Sequence, residues 1–82
     1  MTPREIHIAK LILDHLHEQD GHQVHAVSIH GGIGGLSACP AREFDQVIAG
    51  LDKQRLIIGV TTKFKGVLWS ISDQGEAARL EM

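Results

Sequence analysis

The sequence predicts a small α+β fold in which helices precede a β-hairpin. Between residues 40 and 55, apolar side chains recur at three- and four-residue steps, which is typical of a helix with one buried face. From Leu56 the pattern changes to two runs of β-forming residues, separated by the turn sequence Lys63-Phe64-Lys65-Gly66. These observations predict a helix that leads, with almost no connecting loop, into a two-stranded hairpin.

The length and composition predict one globular domain that spans residues 1–82. Eight basic residues against ten acidic residues give a net charge of −2, which disfavours general nucleic-acid binding because Lys and Arg contacts to phosphates dominate that affinity. No apolar run approaches the roughly 20 residues of a membrane helix. Because the N-terminus also lacks the apolar core of a signal peptide, we expect a cytoplasmic protein with no membrane partner.

The first helix is expected to begin at Pro3, with Thr2 as its cap and Glu5 completing a capping box. The Asp20-Gly21 turn should end it near Glu18. Its apolar stripe is predicted to contain Ile6, Ala9, Leu13 and Leu16, widened by Ile8 and Ile12. We interpret this helix as a scaffold for the rest of the fold.

The middle of the chain is predicted to hold a short strand over residues 23–27 and a second helix capped by Ser28. The apolar positions of that helix would be Ile29, Ile33 and Leu36. Four glycines fall between residues 31 and 35, and each costs about 1 kcal/mol relative to alanine inside a helix. The second helix should therefore be short or irregular.

A helix is expected on either side of the hairpin. Pro40 marks the first turn of the third helix, and the sequence leaves open whether Ser37 or Cys39 caps it. After the hairpin, Ser72 is expected to cap a short closing helix over residues 73–80. Its apolar residues Ala77, Ala78 and Leu80 are expected to fold back on the core.

This order of elements resembles that of a winged helix-turn-helix domain, over nearly the whole chain. The segments that carry the resemblance are Val27-Ser28-Ile29, the Leu36-Ser37 turn, Phe44 through Leu51, Leu56-Ile57, and Trp69-Ser70-Ile71-Ser72-Asp73-Gln74-Gly75. The last segment is similar to the apolar–Ser/Thr–x–x–Gly ending of the wing in many bacterial winged-helix regulators. The resemblance implies three helices, a hairpin wing with a short extra strand, and a short C-terminal helix.

The resemblance also implies a DNA-binding transcriptional regulator of bacterial, phage or plasmid type, whose contact surface is helix 40–55 with wing 57–71. The early polar residues of the third helix would meet base edges, where Arg suits guanine, Gln suits adenine and Glu accepts from cytosine. Lysines at the wing tip would bind phosphates of double-stranded DNA. The candidate contact residues are Arg42, Glu43, Gln46, Lys53, Arg55, Lys63, Phe64 and Lys65.

A different interpretation of the same residues is a solvated helix face and a solubilising hairpin tip. Asp45 and Asp52 on the third helix favour this interpretation, because they would repel phosphates. The domain would then be a protein–protein interaction module, either an adaptor or an inhibitor. The sequence leaves homodimer formation open, through the first or the closing helix.

Three other patterns yield no predicted enzyme, metal or cofactor site. A metal site from His22, His25 and His30 would need a favourable loop, so these are better interpreted as exposed side chains. The glycine-rich stretch matches neither nucleotide-binding loop pattern. The position of Cys39 near a helix N-terminus favours some thiolate character, but no spacing joins it to a base, and a structural or incidental cysteine is the preferred interpretation. We therefore expect a non-enzyme without cofactor.

Overall fold

The computed structural model describes residues 2–82 and has the predicted α+β architecture. Its elements are α1 (Pro3–Glu18), β1 (Val24–His25), α2 (Ala26–Gly32), a 3₁₀ turn (Gly35–Ser37), α3 (Ala41–Lys53), β2 (Ile57–Thr62), β3 (Gly66–Ile71) and α4 (Asp73–Glu81). The strands form an antiparallel sheet in the order β1-β3-β2. Three helices, a β2–β3 hairpin wing, a short extra strand and a C-terminal helix confirm the winged helix-turn-helix prediction.

The capping box of α1 forms as the sequence predicts. The Thr2 hydroxyl oxygen accepts a hydrogen bond from the backbone N–H of Glu5 (3.2 Å), and the Glu5 carboxylate accepts one from the N–H of Thr2 (3.3 Å). The helix ends at Glu18, and Asp20 and Gly21 follow with φ of 54° and 82°. These contacts fix both ends of the scaffold helix.

One core packs α1 against α3, α2 and the sheet. It buries five residues of α1 and four of α3, together with Ile29, Cys39 and Ile57. Full burial of each large aliphatic side chain contributes about 1.5–3 kcal/mol. Ile6 is 41% exposed, so its predicted place in the core is wrong: α1 turns the side that carries Ile8 and Ile12 inward.

The helix-turn-helix segment differs from the prediction at its boundaries. β1 holds only Val24 and His25, because α2 begins at Ala26. His25 occupies the cap position of α2 without a side-chain hydrogen bond, so the prediction that Ser28 caps this helix is wrong. Leu36 is 80% exposed, contrary to its predicted core position, because α2 ends at Gly32 and the chain turns before reaching it.

Backbone conformation, rather than a capping side chain, defines both ends of α3. Pro40 is the N-cap of α3 and makes no side-chain cap bond, so neither Ser37 nor Cys39 caps it. After α3, Arg55 adopts a left-handed φ of 61°, and the strand begins at Ile57 rather than Leu56. The Ser72 hydroxyl donates to the carbonyl of Arg55 (2.7 Å), which ties this junction to the end of the wing.

Ser72 caps α4 as predicted, since its hydroxyl oxygen accepts a hydrogen bond from the N–H of Gly75 (3.0 Å). The contact with the core differs from the prediction: Ala77 is exposed and Leu80 is 78% exposed, whereas Gly75 is buried. A hydrogen bond between His17 Nδ1 and a Glu76 carboxylate oxygen (2.7 Å) joins α4 to α1. Within residues 2–82, no helix is both long and apolar enough to cross a membrane.

Candidate nucleic-acid interface

The side of α3 that faces away from the core carries no acidic residue. Successive residues of an α-helix are rotated by about 100°, and the core side of α3 is marked by its buried residues, Phe44, Val47, Ile48 and Leu51. Directly opposite lies a row of four exposed residues, here named the outer strip: Arg42, Gln46, Ala49 and Lys53. The outer strip therefore presents two cations and one amide to the solvent.

The acidic residues of α3 lie on its two flanks. Asp45 and Asp52 are on one flank, each about 60–80° around the helix from Arg42. Asp45 lines a cleft of about 190 Å³ that α3 forms with α2. Glu43 is on the other flank. The acidic side chains border the outer strip without interrupting it.

Glu43 is bound to the first turn of α1. The Nε–H of Arg4 donates a hydrogen bond to a Glu43 carboxylate oxygen and forms an ion pair with it. This hydrogen bond, together with the negative charge of Glu43, raises the pKa of the Arg4 guanidinium. The Glu43 side chain is only 27% exposed, so this predicted contact residue lies apart from Arg42 and Gln46. In the sequence, Arg4 indicates only the start of a helix, and nothing in that pattern predicts its contact with Glu43.

The wing tip is a tight turn of Lys63, Phe64 and Lys65, closed by a Thr62–Gly66 strand pair. The Thr62 hydroxyl donates to the carbonyl of Gly66 (2.8 Å) and accepts from the N–H of Lys65 (3.0 Å). Phe64 is 90% exposed, and the Lys63 ammonium lies 5.5 Å from the centroid of its ring. The tip thus presents two cations and one aromatic ring on a hydrogen-bonded support.

Lys53 and Arg55 lie together where α3 meets β2, at the opposite end of β2 from the wing tip. Both side chains are exposed. The backbone of Arg55 is fixed, since its N–H donates to the carbonyl of Asp52 (2.9 Å) and its carbonyl accepts from Ser72. The candidate residues other than Glu43 therefore fall into three groups: the outer strip, the wing tip and this junction, with Lys53 belonging to both the strip and the junction.

His30 connects α2 to the start of α3. Its Nε2–H donates to the carbonyl of Cys39 (2.8 Å), and its ring stacks on Phe44 with centroids 4.6 Å apart. Sequence reasoning placed His30 only among the metal-site candidates and missed this contact. Within residues 2–82, no group of three or more His, Cys, Asp or Glu side chains is arranged to hold a metal ion.

Cys39 is a structural residue without thiolate character, which confirms the preferred interpretation of the sequence. The residue is buried in the core at 1% exposure. Burial, assisted by the nearby negative charge of Glu43, raises the pKa of the thiol. Cys39 is therefore a neutral, packed side chain beneath the start of α3.

Comparison with known proteins defines the fold of this chain. No protein-family model matches the sequence. No curated protein matches it either. Among solved structures, the chain is similar to the transcriptional regulator PcaV from Streptomyces coelicolor, determined in complex with its natural ligand. The TM-score is 0.70 at 16% sequence identity, over 98% of this chain and 51% of PcaV. The chain thus has a winged-helix fold and spans about half the length of PcaV.

Proposed function

We propose that this chain binds double-stranded DNA as a transcriptional regulator, through the outer strip of α3 and the wing tip. The observation that carries the proposal is the composition of the outer strip: the residues opposite the core on the third helix are basic, amide or small, and none is acidic. In a winged-helix domain this helix enters the major groove. The similarity in fold to the regulator PcaV supports the same function.

Arg42 and Gln46 are the proposed base-contacting residues. They lie one turn apart on the outer strip, in the first half of α3, where a helix inserted in the major groove meets base edges. A guanidinium pairs with O6 and N7 of guanine, and a carboxamide pairs with N6 and N7 of adenine. Each such pair contributes about 1–3 kcal/mol of discrimination between bases.

The phosphate contacts are proposed to come from Lys63 and Lys65 at the wing tip and from Lys53 and Arg55 at the junction. Phe64 would pack on a sugar or a groove wall between the two lysine contacts. Because the net charge is −2, affinity depends on these local cations rather than on a general positive field. Binding should therefore weaken steeply as salt increases.

A fluorescence anisotropy titration of labelled genomic or plasmid fragments tests the proposal. At about 50 mM salt we expect binding, and the double change Lys63→Glu, Lys65→Glu should abolish most of it through charge repulsion. For the single change Lys65→Gln, the slope of log K against log salt should fall by about 1.

Lys10→Gln is the matched control for Lys65→Gln. It removes the same charge from α1, where Lys10 pairs with Asp14 and bonds the carbonyl of Arg79, away from the proposed surface. The salt slope should therefore stay at the wild-type value. Absence of binding at about 50 mM salt, or equal affinity after both lysines at the wing tip become glutamate, would contradict the proposed function.

A second candidate function, a protein-interaction module, is favoured by the outer face of the wing. Ile58 and Val60 are two residues apart in β2 and therefore lie on the same face of the strand. Their exposed fractions are 49% and 39%. Asp45 and Asp52, both exposed on one flank of α3, would supply acidic contacts to the partner of such a module. Co-purification from the native cell extract should then yield a defined partner, and Asp45→Lys should weaken its capture; a chain that captures no partner contradicts this candidate.

As a regulator of this kind, the chain is proposed to act as a single domain over residues 1–82 in the cytoplasm of a bacterium or of a host carrying a phage or plasmid. A homodimer would place two outer strips on successive half-sites of one duplex, about 34 Å apart. Sedimentation of the complex with DNA measures whether one or two copies bind.

A further inference from the structure

The ion pair between Arg4 and Glu43 joins two first turns that are 39 residues apart in the sequence. Arg4 lies in the first turn of α1, between the two capping-box residues Thr2 and Glu5, and Glu43 lies in the first turn of α3. The Arg4 side chain is 63% exposed and the Glu43 side chain 27% exposed. The pair is therefore at the rim of the domain, at the end of α3 that also holds Arg42.

A free Glu43 carboxylate would alter what α3 recognises. Glu43 is next to Arg42 in the sequence and three residues before Gln46, so it belongs to the same turn as the proposed base-contacting residues. A carboxylate that reaches the major groove accepts a hydrogen bond from N4 of cytosine, and it repels the phosphates on either side. In this structure one of its oxygens is occupied by Arg4.

We propose that Arg4 is a positioning residue for base recognition: it binds the Glu43 carboxylate and turns it toward α1, away from the groove, so that Arg42 and Gln46 alone contact the bases. This inference rests on the proposed DNA-binding function. Arg4 need not touch DNA in this role, because it acts through Glu43.

Selection from a library of duplexes with a randomised central segment tests the inference. The proteins compared are the wild type, Arg4→Gln, Glu43→Gln and the double variant Arg4→Gln, Glu43→Gln. Arg4→Gln frees the carboxylate, so it should gain a preference of about fivefold for cytosine at one position, the lower end of what one base contact provides. The double variant should lose this preference and select the same sequences as Glu43→Gln.

Two results would overturn the inference while leaving DNA binding intact. One is identical base preferences for the wild type and Arg4→Gln. The other is a new cytosine preference that persists in the double variant, which would assign the effect to Arg4 itself. If the wild type enriches no duplex, the proposed function fails and this inference fails with it.

The contact between Arg4 and Glu43 can be tested by NMR without DNA. A hydrogen-bonded guanidinium Nε–H exchanges slowly with water and gives a resolved proton signal at neutral pH. We expect this signal for Arg4 in the wild type and its loss in Glu43→Gln, with the amide spectrum of the core unchanged. A signal that is the same in both proteins would show that Glu43 does not bind Arg4.

Discussion

At the scale of single residues, the glycines divide into those that packing requires and those that it does not. A Cβ added at Gly75 would lie 2.0 Å from the carbonyl oxygen of Leu56, which is backbone and part of the junction between α3 and β2. A Cβ added at Gly31 would meet nothing within 4 Å. Both residues are helical, so the difference lies entirely in what surrounds them.

Gly75→Ala should therefore destabilise the domain and Gly31→Ala should stabilise it. The first change forces α4 away from the Leu56 carbonyl, and overpacking of this kind costs about 1–3 kcal/mol. The second raises helix propensity in α2 by about 1 kcal/mol. Urea unfolding followed by circular dichroism measures both free energies; changes of the same sign in the two variants would contradict this distinction.

The sequence alone does not show which glycines the packing requires. The four glycines between residues 31 and 35 predicted a short α2, which the structure confirms, but the reasons differ at each position. At Gly32 an added Cβ would meet the ring of His15 at 2.3 Å, whereas Gly34 has a φ of 122°. The partner at Gly32 lies on α1, 17 residues earlier in the sequence, and local composition carries no information about it.

At the scale of the elements, the capping box makes the start of α1 sensitive to acid. The hydrogen bond from the backbone N–H of Thr2, assisted by the Thr2 side chain, lowers the pKa of the Glu5 carboxyl below its ordinary value of 4.5. A lowered folded-state pKa gives a stabilisation that is fully present above the unfolded value. That stabilisation is lost as pH falls from about 4.5 through the folded-state pKa.

Glu5→Gln should remove this part of the pH dependence. We expect the free energy of unfolding of the wild type to fall more steeply than that of Glu5→Gln when pH decreases from about 5 to 3, because glutamine does not titrate. Other carboxylates titrate in both proteins, so the difference between them isolates Glu5. Parallel pH profiles for the two proteins would show that the box is not formed in solution.

The limits of α1, α3 and α4 were predictable, and those of the short elements β1 and α2 were not. α1 and α3 have strong three- and four-residue periodicity, and their limits were predicted within about two residues. In contrast, His25 and Pro40 hold the cap positions of α2 and α3 without side-chain cap bonds, so the residue types that mark a cap gave the wrong starts. The prediction that Leu80 packs on the core was wrong, because α4 contacts the rest of the fold through the buried Gly75 rather than through an apolar stripe.

At the scale of the whole molecule, the proposed DNA binding depends on where the charges lie more than on the net charge. The net charge is −2, and Asp45 and Asp52 suggested an acidic third helix. The structure confines the acidic side chains of α3 to its flanks, and binds Glu43 to Arg4. Sequence periodicity alone can locate the outer strip, but it cannot show that Arg4 of α1 binds the Glu43 carboxylate.

The most direct measurement of the proposed DNA-binding surface is an NMR titration of the isotopically labelled chain with duplex DNA at low salt. Binding through α3 and the wing predicts amide shift changes at Arg42, Gln46 and Lys65, with Asp14 and Glu76 on the α1–α4 side unchanged. Shift changes confined to α1 and α4, or none at a DNA concentration well above that of the protein, would contradict it.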